Sequence, residues 1–244
     1  MSAKIEFTRN NLDDYLSKVA KEFRKLNGRK MRAEIILIGG ASILANYGFR
    51  DSTYDIDALI RASSAMKDAI NKVGDEYGLP NGWLNSDFTT TDSYSPNLIR
   101  YSKYYKSFGY VLDVRTVSGE YLVAMKLMSA RQYKNDISDI VGILKEEKDN
   151  GNSITFDSIK TAVCNLYGDW NRLPQYSQNL ITEIMKNDEY DKLYEQYRIQ
   201  EKLVKKSLIE FDDKYPAVAN EDNISQIIDS LKNKSTKTPR KEKH

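Results

Sequence analysis

The stretch from Glu34 to Ile60 constrains this chain more than any other. An apolar run, Glu34-Ile35-Ile36-Leu37-Ile38, stops at Gly39-Gly40, and Asp55-Ile56-Asp57-Ala58-Leu59-Ile60 follows a short distance on. The β-branched run reads as a buried strand, the glycine pair as a tight turn, and 41–47 as a helix stopped by Gly48. If 52–60 is one strand, alternation puts Asp55, Asp57 and Leu59 on one face and Ile56, Ala58 and Ile60 on the other. Two carboxylates on one face repel at neutral pH unless water or a cation screens them. Asp-x-Asp alone is a weak signal, and a polar edge-strand face accounts for it. What singles this pair out is its position, because a Gly turn opening a helix presents backbone N–H groups to a triphosphate at the same sheet edge.

Composition then removes most competing chemistries. The sole histidine is His244, the last residue, and the sole cysteine is Cys164. Without an imidazole there is no Ser-His-Asp or Cys-His catalysis and no His-based zinc or iron site. Cys164 reads as a small core residue of a reducing compartment. Clustered carboxylates instead suit a hard cation, Mg²⁺ or Mn²⁺. No stretch approaches the roughly 20 apolar residues of a membrane span, and the N-terminus carries no signal or transit pattern, so a cytoplasmic location is expected. Positions 232–244 hold six Lys/Arg against one Glu, a local +5 that leaves the other 231 residues at −3. The body is therefore no basic nucleic-acid clamp, and the tail reads as a solvated, disordered end.

Elsewhere the periodicity is mostly helical. Leu12, Tyr15, Leu16, Val19, Phe23 and Leu26 mark an amphipathic helix over 11–26 behind an Asn10/Asn11 cap, and 63–77 reads as another from a serine cap. Residues 96–106 are ambiguous. A strand over 109–117 sets Val111, Asp113, Arg115 and Val117 on one face, followed by helices over 119–131 and 136–146. Asp149-Asn150-Gly151-Asn152-Ser153 marks a break, and 155–166, 176–187, 188–213 and 221–233 read as helices. The expected architecture is α/β (α+β), a mixed sheet flanked by helices with a C-terminal helical lobe. Its units are 1–148, 153–231 and the basic tail 232–244.

Phosphoryl transfer between two metal ions needs a third carboxylate, and Asp113 on its alternating strand is the candidate. The combination of Ile38-Gly39-Gly40 with Asp55-Ile56-Asp57 on the next strand resembles the nucleotidyltransferase superfamily of DNA polymerase β type over roughly 30–145. Gly39-Gly40-Ala41-Ser42, Tyr47-Gly48, Arg50 and Ser52-Thr53 resemble the bacterial DUF6036 and AbiEii-like families, the latter toxins of toxin–antitoxin systems. Gly78-Leu79-Pro80, Trp83-Leu84-Asn85 and Tyr121 to Leu127 with Arg131, Asp136 and Asp139 add to the DUF6036 likeness. The resemblance implies Gly39, Gly40 and Ser42 at the nucleotide, Ser42 standing two positions beyond the usual Gly-Ser. It also implies Lys126 and Arg131 facing the phosphates; the lysine usual before Asp-x-x-Asp is here Lys134, set off by Asn135.

The leading expectation is therefore Mg²⁺-dependent transfer of an NMP from an NTP to a hydroxyl, with Asp55, Asp57 and Asp113 as metal ligands. By the AbiEii likeness the acceptor is RNA such as tRNA, or a protein, in a toxin-like role with a cognate antitoxin. Small-molecule acceptors of the antibiotic type and a non-catalytic nucleotide-binding or interaction module are the alternatives. Several residues keep two readings: Trp83, Tyr101, Tyr104 and Tyr105 as base stackers or packing, and Arg50 as a phosphate contact or a partner of Asp51 or Asp55. Asp136 and Asp139, three apart, share a helix face and would orient Lys126 or Arg131, or Asp136 is only an N-terminal helix charge.

Overall fold

The computed structural model describes residues 5–187, 189–220 and 223–237. Strands β1 (Phe7–Thr8) and β3 (Ser52–Thr53) pair in a small antiparallel ribbon. The main sheet contains β2 (Ala33–Leu37), β4 (Ile56–Arg61), β5 (Leu84–Asn85), β6 (Ser102–Phe108) and β7 (Leu112–Val117) in the order β5-β4-β2-β7-β6. It is mixed: β2 runs antiparallel to β4 and parallel to β7, while β4 pairs parallel with β5. Hairpin β6-β7 turns at Gly109 and Tyr110, both at positive φ, which resolves the ambiguous segment into a 3-10 turn, Pro96–Tyr101, and an edge strand.

The two faces of the sheet are covered differently, as the alternation of its strands requires. Ile35, Leu37, Ile56, Ala58, Leu112 and Val114 pack beneath α1 (Arg9–Asn27), α2 (Gly39–Asn46) and α3 (Ala65–Tyr77). The α1 stripe is the one its spacing predicts, with Leu12, Leu16, Val19 and Phe23 fully buried. The helix starts two residues earlier, at Arg9, behind Thr8 as N-cap, whose N–H donates to the Asn11 side chain at 2.8 Å. On the other face Ile36, Leu59 and Val117 meet α4 (Gly119–Ser129) and α5 (Asp136–Asp149).

The C-terminal helices follow the predicted pattern: α6 (Phe156–Tyr167), α7 (Gln175–Met185), α8 (Tyr190–Lys214) and α9 (Ile224–Lys237). One apolar cluster runs from Ile36 and Leu59 through Leu122 and Ile140 to Val163 and Ile181, so the core crosses the Gly151 break. Helix α9 continues to Lys237, into the segment read as a tail, and Thr238–His244 lie outside the described residues. No helix among the described residues is long and apolar enough to cross a membrane.

The loop between α2 and β3 is clamped by aromatic packing. Phe49 lies 5.8 Å from the Tyr47 ring and 5.7 Å from that of Tyr194 on α8, and its edge rests on Gly142 of α5. A Cβ at Gly142 would stand 2.6 Å from the ring. Because both neighbouring rings block retreat, Gly142→Ala is expected to cost about 1–3 kcal/mol, as overpacking does. Thermal unfolding of the variant checks it.

Candidate active site

The sheet delivers Asp57 to the mouth of α2. Asp57 is the second residue of β4, and its carbonyl accepts the Ile38 N–H at 2.8 Å, immediately before α2 begins. Gly39 opens that helix at φ 52°, in the left-handed region where glycine is favoured, and a Cβ there would lie 3.8 Å from Asp57 Oδ2. The N-cap position is Ile38, which has no side chain to offer the first-turn N–H groups. An uncapped helix start thus faces a carboxylate, and it is the left-handed φ at Gly39, not lack of space, that favours glycine there. Asp55 stands one residue ahead of β4, in the bend that separates β3 from β4, so the expected single strand over 52–60 is two strands and a kink.

Charge around this point is finely opposed. Burial raises the Asp57 pKa, and Asp55 raises it further, while Lys134 and Arg131 pull it down. Lys134 responds in kind: loss of hydration and the neighbouring Arg131 lower its pKa, with both aspartates acting against that. The donor set can be tested against the expected metal. No group of three Asp, Glu, His or Cys side chains among the described residues is arranged to hold an ion. Two carboxylates fit a Mg²⁺ that completes its shell with phosphate oxygens and water, as Mg²⁺ usually does, and do not fit an ion caged by protein alone.

Three predicted contributors lie elsewhere. Asp113 shares the Asp57 face but not its end: β2 pairs Glu34 with both Arg61 and Asp113, whereas Asp57 is level with Ile38. Four residues of strand, about 13 Å at 3.3 Å each, separate the two rows. There Asp113 accepts from Ser107 Oγ and faces Arg32 at 3.9 Å, so it is not a third ligand. Ser42 is fully buried, and its hydroxyl accepts the Val117 N–H at 3.0 Å, which fastens α2 to β7 rather than leaving an oxygen for phosphate. Lys126 is buried as well, its Nζ 2.7 Å from Asp136 and 2.9 Å from Asp139.

Lys126 is the centre of a row of five alternating charges. Asp139 also binds Arg50 at 2.5 Å, and Asp136 binds Arg131 through Nε at 2.9 Å and through its backbone N–H at 3.1 Å. Arg50 therefore pairs with Asp139, not Asp51 or Asp55, and lies over Gly40, where a Cβ would meet it at 2.9 Å. Burial alone would raise the Asp136 pKa, but Lys126 and Arg131 more than offset this and hold it well below the usual range. The aromatic candidates are packing or surface: Trp83 is buried and donates to the Ile70 carbonyl, Tyr101 stacks on Tyr121 at 4.2 Å, Tyr105 donates to Asp13, and Tyr104 is exposed.

The sequence reading had no place for Glu201 of α8. It is buried, and its Oε1 accepts the Ile137 and Ser138 N–H groups at 2.8 and 3.3 Å. One signal pointed to it: it interrupts an otherwise apolar stripe of Leu193, Tyr194, Tyr197, Val204 and Leu208. Burial pushes its carboxyl up to about 7.

A family model described as "Nucleotidyltransferase of unknown function (DUF6036)" matches residues 14–205. No curated protein and no solved structure matches the chain.

Two outcomes are expected from this electrostatic arrangement. Asp136→Asn strands Lys126 and Arg131 without their shared anion and should cost about 3–5 kcal/mol in denaturant unfolding, the usual loss when a buried pair is broken. For Glu201 the folded carboxyl titrates near 7 against 4.5 for the free side chain. Between those values the folded state keeps a proton that the unfolded state has lost, so its contribution to stability falls as pH rises through that window. Glu201→Gln should flatten that part of the stability profile, as read from unfolding midpoints at pH 4.5 to 7.5.

Proposed function

The chain belongs to the DUF6036 family of nucleotidyltransferases, and we propose that it transfers a nucleoside monophosphate from an NTP to a hydroxyl acceptor in a Mg²⁺-dependent reaction. The observation that carries this reading is the Asp57 carboxylate set against the uncapped, glycine-opened start of α2. Asp55 and Asp57 would hold the ion, which when bound supplies charge neutralisation at the triphosphate and acidifies the attacking hydroxyl.

The remaining work falls to this chain's own groups. The first-turn N–H groups at Gly39 and Gly40 bind phosphate oxygens, aided by the helix dipole. Arg131, anchored on Asp136, and Lys134 offset the charge that builds as pyrophosphate leaves. Lys126 and Arg50 act one layer back, holding the two aspartates of α5 in place.

For the acceptor we propose a macromolecular hydroxyl, on RNA such as tRNA or on a protein, in a toxin-like role with a cognate antitoxin; this rests on the AbiEii likeness. A second reading, a nucleotide-binding module without turnover, is favoured by the distance of Asp113 from the pair.

Incubation with each labelled NTP, Mg²⁺ and total cellular RNA or protein tests the proposal, and a labelled macromolecule supports it. Asp57→Asn should abolish the labelling. Because a raised folded pKa means that the ionised form is disfavoured in the fold, the same change should leave metal-free stability unchanged or slightly higher. Labelling that persists in the variant sinks the carboxylate assignment. Triphosphate binding without labelling of any acceptor favours the second reading.

A further inference from the structure

We propose that Glu201 is a positioning residue of this site: from α8 it supplies the N-cap that α5 lacks, and so holds the turn whose aspartates aim Arg131 at Asp57. The inference rests on the function proposed above.

Helix α5 begins without its own cap. Asn135 occupies the N-cap position, yet its side chain accepts no hydrogen bond from the helix. An N-cap oxygen ordinarily takes the N–H of the second or third helical residue. Here those are Ile137 and Ser138, and both donate to Glu201 Oε1, more than sixty residues away in the chain. The flanking side chains, Asp136 and Asp139, are the two anions of the five-charge row. The turn is thus gripped from both sides, by Glu201 on its backbone and by Lys126, Arg50 and Arg131 on its carboxylates.

Stability alone explains Glu201 poorly. Its Oε2 is buried without a partner, and its carboxyl lies close enough to Asp139 for that charge to disfavour ionisation. An apolar side chain on the same stripe would pack without either defect. What an apolar residue cannot do is fix the first turn of α5. The same helix also holds the other arm of the site: Tyr194 donates to the Phe49 carbonyl at 3.2 Å, and Arg198 pairs with Asp51 at 3.1 Å, on the loop leading to Asp55. Lys205 lies 5.8 Å from the Tyr54 ring. One helix therefore sets the distance between the carboxylate bend and the cation turn.

The test follows the Arg131 Nε proton, which is bonded to Asp136, by NMR hydrogen exchange, assigned by its loss in Arg131→Lys. Glu201→Ala should speed its exchange about tenfold or more, and Glu201→Gln, which keeps a carbonyl acceptor, should leave it within about twofold of wild type. In the wild type the Ile137 and Ser138 amides should be protected. Unchanged Arg131 exchange in folded Glu201→Ala, an equal loss in the Gln variant, or unprotected Ile137 and Ser138 amides would each overturn the proposal. Should the Ala protein not fold, Glu201→Leu, which fills the space but accepts nothing, is judged by the same outcomes. Binding of Mg²⁺ with inorganic triphosphate is the second readout, expected to weaken about tenfold in Glu201→Ala and to recover in Glu201→Gln. A wild type that binds no triphosphate counts against the functional reading, while the Arg131 exchange still decides the role of Glu201.

Discussion

The row Arg50, Asp139, Lys126, Asp136, Arg131 is the interaction on which the rest of the site depends. It joins three segments that no backbone ladder connects: the loop after α2, the last turn of α4, and the turn opening α5. Asp136 and Lys126 are nearly inaccessible to water, so each must be matched by opposite charge or the fold carries an uncompensated ion. Because the row begins and ends in arginine, its net charge is positive, and its half-buried terminus, Arg131, favours the ionised form of Asp57. A buried ion row is seldom the cheapest core. Its value here is geometric, since it fixes where a cation stands.

The same logic explains why the carboxylate pair can exist. Asp57 is partly buried beside Asp55, an arrangement that raises its pKa, and it is relieved by Arg131 and Lys134 only because α5 and its preceding turn are held close. On the function proposed above, a triphosphate with its ion would enter between an anionic edge and a cationic one. Each edge needs the other to be tolerable in the fold before any ligand arrives.

How much of this the sequence discloses depends on the range over which each feature is determined. The strand and helix over 33–46 are local and were legible, although Gly39 and Gly40 open the helix and do not form a turn before it; the amphipathic stripe of α1 and the helical run after Gly151 were legible too. Alternation put Asp113 on the correct face but says nothing of which row it occupies. That is set by register against β2, a property of two strands and not one. Ser42 and Lys126 were misjudged for a related reason: both sit on helix faces that the sheet and α5 cover, and burial of a polar residue is invisible until its partner is known. Arg50 meets Asp139 across 89 positions, and a short window of sequence cannot show such a pairing. Pairing of Asp136 and Asp139 with Lys126 and Arg131 was foreseeable because spacing and proximity in the chain do most of the work.

The hold of α8 on the site has a consequence for how the protein comes into being. Phe49 and Asp51 wait 145 and 147 residues for Tyr194 and Arg198, and the α5 turn waits 64 for Glu201. Synthesis is vectorial, and domains assemble from the N-terminal end as the chain emerges. The sheet, the glycine-opened start of α2 and both aspartates can therefore be in place on the ribosome well before the helix that squares the site has been made. A nascent chain would present an ordered fold with an unset centre. Competence would arrive late and abruptly, at the moment α8 clears the exit tunnel and docks.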